Sequence, residues 1–258
     1  MGGDGSEFRY ITPEALIRAR LGDGPAPRWA AAVVCFRDAK CSAMLADVLG
    51  ARPADRRLLY GKDPAAGEVL EAEVAGRRIV VVKRCIWGGP QAAILTEELA
   101  ALGVPIVVGW GACGGITPAL ERHENVIADR ALATDGTSAA YGSGDLSADA
   151  GLVAAARAAG EALGVRPRCV TAATVDALYR ETRPAIDAMR DRGADVVNME
   201  TSPMYAAARA GGARAVWIGH VSDRLNDDGW EDWYGPWTEA VRRKAEWAAE
   251  TLRRLVGG

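Results

Sequence analysis

Two carboxylates in the stretch 194–225, ADVVNMETSPMYAAARAGGARAVWIGHVSDRL, stand where a sheet protein delivers side chains to a ligand. An apolar strand over 194–199 ends on Glu200, a helix of small residues follows, and a second apolar strand over 215–221 ends on Ser222-Asp223. In open α/β sheets the ligand crevice lies outside the carboxyl ends of the strands, so Glu200 and Asp223 face one ligand in this reading. Burying a carboxylate without a partner is costly, which argues that both meet something polar. Partial burial at a strand end also brings a carboxyl pKa toward the working pH, where the group can pass a proton. The alternative reading is that both acids only cap neighbouring helices.

Other residue patterns are weaker. Gly109, Gly111 and Gly114 spell GxGxxG after a strand, the fingerprint of a dinucleotide fold and hence of an NAD-dependent dehydrogenase. That motif needs a long helix directly after it, and Pro118 with a short polar stretch follows instead. His123 and His220 are the two histidines of the chain, and neither has a cysteine or carboxylate at metal-ligand spacing, so no metal is expected. Trp230, Trp233, Tyr234 and Trp237 form an aromatic cluster that suits a lid, a subunit contact or a stacking surface, with packing as the default.

The elements that must position the two acids read as alternating strands and helices. Residues 1–28 form a loose glycine-rich tail and a short helix, with Thr12 as N-cap and Pro13 at its first position. From 29 to 258 a single domain is expected. The run WAAAVVCF over 29–36 is a strand buried on both faces, and RDAKC after it is another carboxyl-end turn. A hairpin turns around Gly76, and its second strand runs into Gly88-Gly89-Pro90, where glycine lets backbone approach a ligand and proline starts a helix. Further strands are expected over 106–108, 125–132 and 169–172, with helices over 148–163 and from 238. This order predicts a three-layer α/β/α sandwich around a central mixed, mostly parallel sheet.

The 258 residues suffice for one α/β domain with a full core. A net charge of −3 gives no footprint for nucleic acid, and no apolar run is long enough to span a membrane. The five scattered cysteines read as reduced thiols, which points to a cytoplasmic protein.

Four blocks in register carry a resemblance to a known family. Asn198-Met199-Glu200 before a small-residue helix, Val221-Ser222-Asp223 after the next strand, Trp87-Gly88-Gly89-Pro90 before a helix containing EEL, and IVVGWGACGGITP over 106–118 together resemble the nucleoside phosphorylase and nucleosidase superfamily. The resemblance implies N-glycosidic cleavage of a purine or purine-like nucleoside with release of the free base. It assigns Glu200 to the ribose hydroxyls, Met199 to the sugar face and Asp223 to a proton shared with N7 of the base. Asn198, Ser222, Gly88, Cys113 and Gly114 fall on the same substrate-binding blocks. An aromatic of the family is missing near Ala173, and Trp87, Trp110 or Tyr141 is expected to substitute for it.

The same resemblance exposes a departure. The groups that hold phosphate in the family's phosphorylases are replaced here by Arg37, Cys41, Gly109 and Ala112. A dianion without cationic partners is disfavoured, so the sequence leans toward hydrolysis, with Asp38 activating water as the resemblance to nucleosidases implies. The competing account is a rebuilt anion site from Arg37, Lys40 and Arg84, for phosphate or a nucleotide's 5′-phosphate. A nucleoside-binding protein without turnover is the alternative outside enzymes. No cofactor is expected beyond phosphate as a co-substrate, and the family's habit implies a homo-oligomer, dimer or hexamer.

Overall fold

The computed structural model describes residues 9–257 except 23, 55–58, 60–67, 86–87, 143, 145 and 233–237. The first helix, α1 (Pro13–Leu21), opens as its sequence dictates, with Thr12 Oγ1 accepting the Ala15 N–H at 3.2 Å. Next come β1 (Ala31–Cys35), α2 (Ala39–Leu49), β2 (Arg52–Pro53), the hairpin β3 (Val69–Val74) and β4 (Arg77–Val82), and α3 (Gly89–Ala101). The middle of the chain is β5 (Ile106–Gly115), β6 (Asn125–Ala133), α4 (Gly136–Ala140), β7 (Leu146–Ser147), α5 (Ala150–Ala162) and β8 (Arg168–Thr174). A short 3-10 turn (Leu178–Arg180) leads to α6 (Arg183–Asp191), β9 (Val196–Asn198), α7 (Thr201–Gly211), β10 (Arg214–Asn226), β11 (Gly229–Glu231) and α8 (Thr238–Gly257).

The described strands form one mixed sheet in the order β11-β10-β6-β8-β9-β5-β1-β4-β3-β2, with β7 on β6. Strand β10 also pairs with β5, so the centre of the sheet closes into a ring through β10, β6, β8, β9 and β5. All of β1 is buried: Ala32 and Val34 face a core shared with α1, α3 and α7, and Ala31, Val33 and Cys35 face one shared with α2, α5 and α8. Both faces being covered explains why its sequence is continuously apolar rather than alternating. This is the three-layer arrangement, with α6 sealing a third, smaller cluster around Val197. No described helix is long and apolar enough to cross a membrane.

Two strands run further than their apolar sequences suggest. The segment expected over 106–108 continues to Gly115, and the one expected to end before Ser222 continues to Asn226. The reason is mutual: β5 and β10 pair in parallel from Arg214↔Ile106 to Arg224↔Gly115, and Trp217 of β10 lies against the glycines of β5. A Cβ on Gly109 would sit 2.8 Å from both Met204 Sδ and Trp217 Cδ1, and one on Gly111 would sit 2.7 Å from Trp217 Cζ2. The GxGxxG spacing therefore makes room for an indole, and β5 is a strand throughout the motif rather than the start of a helix.

That packing is testable. Gly111→Ala forces Trp217 to shift in a core without slack and should cost about 1–3 kcal/mol, lowering Tm by several degrees in a thermal melt. An unchanged Tm would contradict the close approach.

Candidate active site

A cavity of about 670 Å³ opens where the β1–α2 turn, the end of β5, the β8–α6 loop, the β9–α7 junction and β10 converge. Arg37, Asp38, Lys40, Cys41, Cys113, Gly114, Asn198, Met199, Glu200, Ser222 and Asp223 all line it, which brings together eleven of the residues singled out in the sequence. Phe36, Met44, Leu178 and Val241 supply apolar wall.

Glu200 is only 3% exposed and sits between the short β9 and α7. Its Oε1 accepts the Gly88 N–H at 3.2 Å and its Oε2 the Met199 N–H at 3.3 Å. Burial pushes the carboxyl up to about 7, against the two amides, which favour the ionised form. Gly88 adopts φ 126°, a conformation that a side chain would strain, and so delivers its amide at the start of α3. Asn198 organises the junction: its Oδ1 accepts the Thr201 N–H at 3.3 Å and the Thr174 hydroxyl at 3.4 Å, while its Nδ2 donates to Thr201 Oγ1. The sequence reading of Glu200 as a possible helix cap fails on geometry, since it occupies the cap position of α7 without a side-chain cap bond.

Asp223 arrives differently from the expectation of a strand end. It lies within β10, where the register against β5 shifts between Val221 and Asp223. Such a bulge re-aims side chains beside functional sites. Ser222 Oγ donates to Asp223 Oδ1 at 2.5 Å, and Trp230 Nε1 donates to Oδ2 at 2.8 Å. The sequence reading missed Glu181, which also lines the cavity. Burial, then the neighbouring Asp223 carboxylate, push Glu181 up to about 7. Its signal was the same as for the other acids, an acid in the loop at the carboxyl end of a strand, here β8.

Cations stand at the β1–α2 turn. Arg37 Nη1 lies 3.4 Å from His220 Nε2, Nη2 donates to Cys41 Sγ at 3.2 Å, and the guanidinium carbon lies 5.8 Å from the centroid of the Trp110 ring. Its buried Nε has no hydrogen-bond partner among the described residues, and no described carboxylate lies within ion-pair distance. Burial first, and then Arg37 and Lys244, hold His220 well below its usual range, so it is neutral and adds no charge. Asp38 caps α2, its Oδ1 accepting the Cys41 N–H at 2.9 Å. Burial works to raise the Asp38 carboxyl, but the Cys41 hydrogen bonds and the adjacent Arg37 outweigh it and hold it below its usual value.

Three expected residues take other places. Arg84, whose backbone is left-handed at φ 48°, does not line the cavity but is exposed and pairs with Glu68 at 3.5 Å. Trp110 is 1% exposed and packs in the core with Val108 and Ile218, beside the Arg37 guanidinium and off the cavity wall. Tyr141 is packed beside Glu97 and the α3 core, off the cavity wall. Trp87 lies outside the described residues.

Comparison with known proteins identifies the family and the fold. The model of the Phosphorylase superfamily matches residues 43–257. The chain is similar to a uridine phosphorylase of Thermococcus kodakarensis, 32% identical over 190 residues that cover 64% of this chain and 67% of that protein. It is also similar to a guanosine phosphorylase of Halorubrum lacusprofundi, 31% identical over 164 residues that cover 61% and 66%. Among solved structures, the 5′-methylthioadenosine/S-adenosyl homocysteine nucleosidase of Campylobacter jejuni shares the fold, with a TM-score of 0.71 at 15% identity over 89% of this chain and 99% of that one.

The buried Glu200 gives a pH dependence with a defined sign. Its folded value of about 7 lies above the carboxyl's ordinary value of 4.5, so the folded state holds the extra proton across that window. Its burial therefore costs little at the acid end and destabilises increasingly as pH rises toward 7, by about 3 kcal/mol in full. Glu200→Gln removes that titration. Denaturant unfolding at about pH 5 and about pH 8 should show the variant gaining some 2–3 kcal/mol on the wild type toward the alkaline end, roughly the size of the titration removed. A stability difference independent of pH would contradict the assignment.

Proposed function

We propose, on the premise that this chain belongs to the phosphorylase superfamily, that it breaks the N-glycosidic bond of a purine-type nucleoside and releases the free base. One observation carries the reading: Met199, Glu200, Asp223 and Arg37 line a single cavity of about 670 Å³, large enough for a nucleoside and a small anion. Cleavage builds positive charge on the sugar and negative charge on the base, so a site gains most by stabilising both. Glu200 accepts the ribose hydroxyls, whose donors favour its ionised form, and the resulting carboxylate stabilises an oxocarbenium-like sugar. Met199 packs against the sugar. Asp223 shares a proton with the base so that it departs neutral, and Glu181 offers a second carboxyl to the polar edge of the base.

The geometry supports phosphate rather than water as acceptor. Arg37 lines the cavity with no described carboxylate in ion-pair range, which suits an anion held by charge-assisted hydrogen bonds. Lys40 lines the same wall. Asp38, by contrast, serves as a helix cap and is held acidic, and a general base needs a pKa near the working pH. The relatives named as uridine and guanosine phosphorylases are consistent with this choice.

The test is base release from purine nucleosides with and without phosphate, with the sugar product identified. Ribose 1-phosphate should form, Arg37→Gln should raise the KM for phosphate by about tenfold or more, and Asp38→Asn, which still caps α2, should stay within about threefold of wild type. Free ribose released at a rate indifferent to phosphate would overturn the acceptor assignment and turn attention to Asp38.

A further inference from the structure

Trp230 does something that the aromatic cluster in the sequence did not predict. It is 53% exposed, so core burial does not account for it. The β10–β11 hairpin pairs it with Leu225, and its indole reaches back along β10 so that Nε1 donates to Asp223 Oδ2 at 2.8 Å. The other oxygen of Asp223 is held by a donor that has an alternative. The single hydroxyl proton of Ser222 can serve Asp223 Oδ1 at 2.5 Å or the Cys113 carbonyl at 3.2 Å. The indole N–H donates to Oδ2. Oδ1 is thus the oxygen that can be vacated, and Oδ2 is the one that is fixed.

We propose that Trp230 is a positioning residue for Asp223, pinning Oδ2 so that Oδ1 faces the base and carries its proton; this rests on the glycosidic reading above. In that step the Oδ1–H bond breaks as an N–H bond forms on the base, the electron pair of the C–N bond goes to the base, and the phosphate oxygen bonds the sugar carbon. The carboxylate left behind is stabilised by the indole N–H. Glu181 approaches Asp223 from the β8–α6 loop, and the buried, neutral Cys113 thiol lies near it on β5. The cations Arg37 and Lys40 line the same cavity from the β1–α2 turn. The residue after Asp223 on its own strand, Arg224, is engaged with Glu121 at 3.0 Å and with Glu231 at 3.6 Å.

Trp230→Phe keeps the ring and deletes the donor, and Asp223→Asn is the reference. In steady-state base release across pH, Trp230→Phe should lower kcat by about 10- to 100-fold while the nucleoside KM changes less than about threefold, as expected for a charge-assisted hydrogen bond lost at the reacting group. A purely packing role would not lower kcat in this selective way. Trp230→Phe with wild-type kcat, alongside an Asp223→Asn that loses activity, would overturn the proposal and leave the glycosidic reading standing. An Asp223→Asn with wild-type activity would overturn both.

Discussion

The burial of the Glu200 carboxylate is the constraint on which the site depends. An acid with almost no exposed surface needs partners, and among the described residues these are two backbone amides, from Gly88 and Met199. Those amides come from opposite directions, one from the head of α3 and one from the end of β9. The group therefore sits where helix, strand and cavity meet, and any shift of α3 against α7 would unpair it. Its raised pKa records that two amides do not fully replace water. A ligand that donates further hydrogen bonds completes the shell, so recognition of hydroxyl donors and relief of a buried charge are one event. The hydrogen bonds of Asn198 to Thr174 and Thr201 serve the same end by fixing the β9–α7 turn.

Around that point the cavity is divided by charge. Glu200, Glu181 and Asp223 occupy the side built by β9, the β8–α6 loop and β10, and Arg37 and Lys40, with the helix-capping Asp38 between them, occupy the turn after β1. A reaction that makes a cationic sugar between an anion and a departing base fits such a division. The neutral His220 keeps the basic side from carrying excess charge. Lys244, one helical turn beyond the cavity residue Val241, is brought down to about 8 chiefly by burial and then by Arg37.

Much of this was legible in the sequence because it rests on local rules. Buried strands announce themselves as unbroken apolar runs, as 29–36 does, and acids placed just beyond them fall at the crevice, which located Glu200. Asp223 was found by the same rule for a partly wrong reason: its strand does not end there, and a bulge that no periodicity reveals turns it inward. Glycines 109 and 111 spelled a phosphate-binding fingerprint, yet their smallness answers to Trp217, a partner 106 residues beyond Gly111 in the chain and invisible to spacing. Glu181 escaped because the segment over 175–182 has no regular pattern, and side-chain direction decided against Trp110, Tyr141 and Arg84. What the sequence concealed was long-range registration, and what it revealed was the local delivery of acids.

The most direct test of the account is the crystal structure of the protein with a purine nucleoside analogue resistant to cleavage and with phosphate. The account predicts ribose hydroxyls within hydrogen-bond distance of Glu200, the base edge beside Asp223 and Glu181, and phosphate against Arg37. A nucleoside bound elsewhere, or bound here with its sugar away from Glu200, would contradict it.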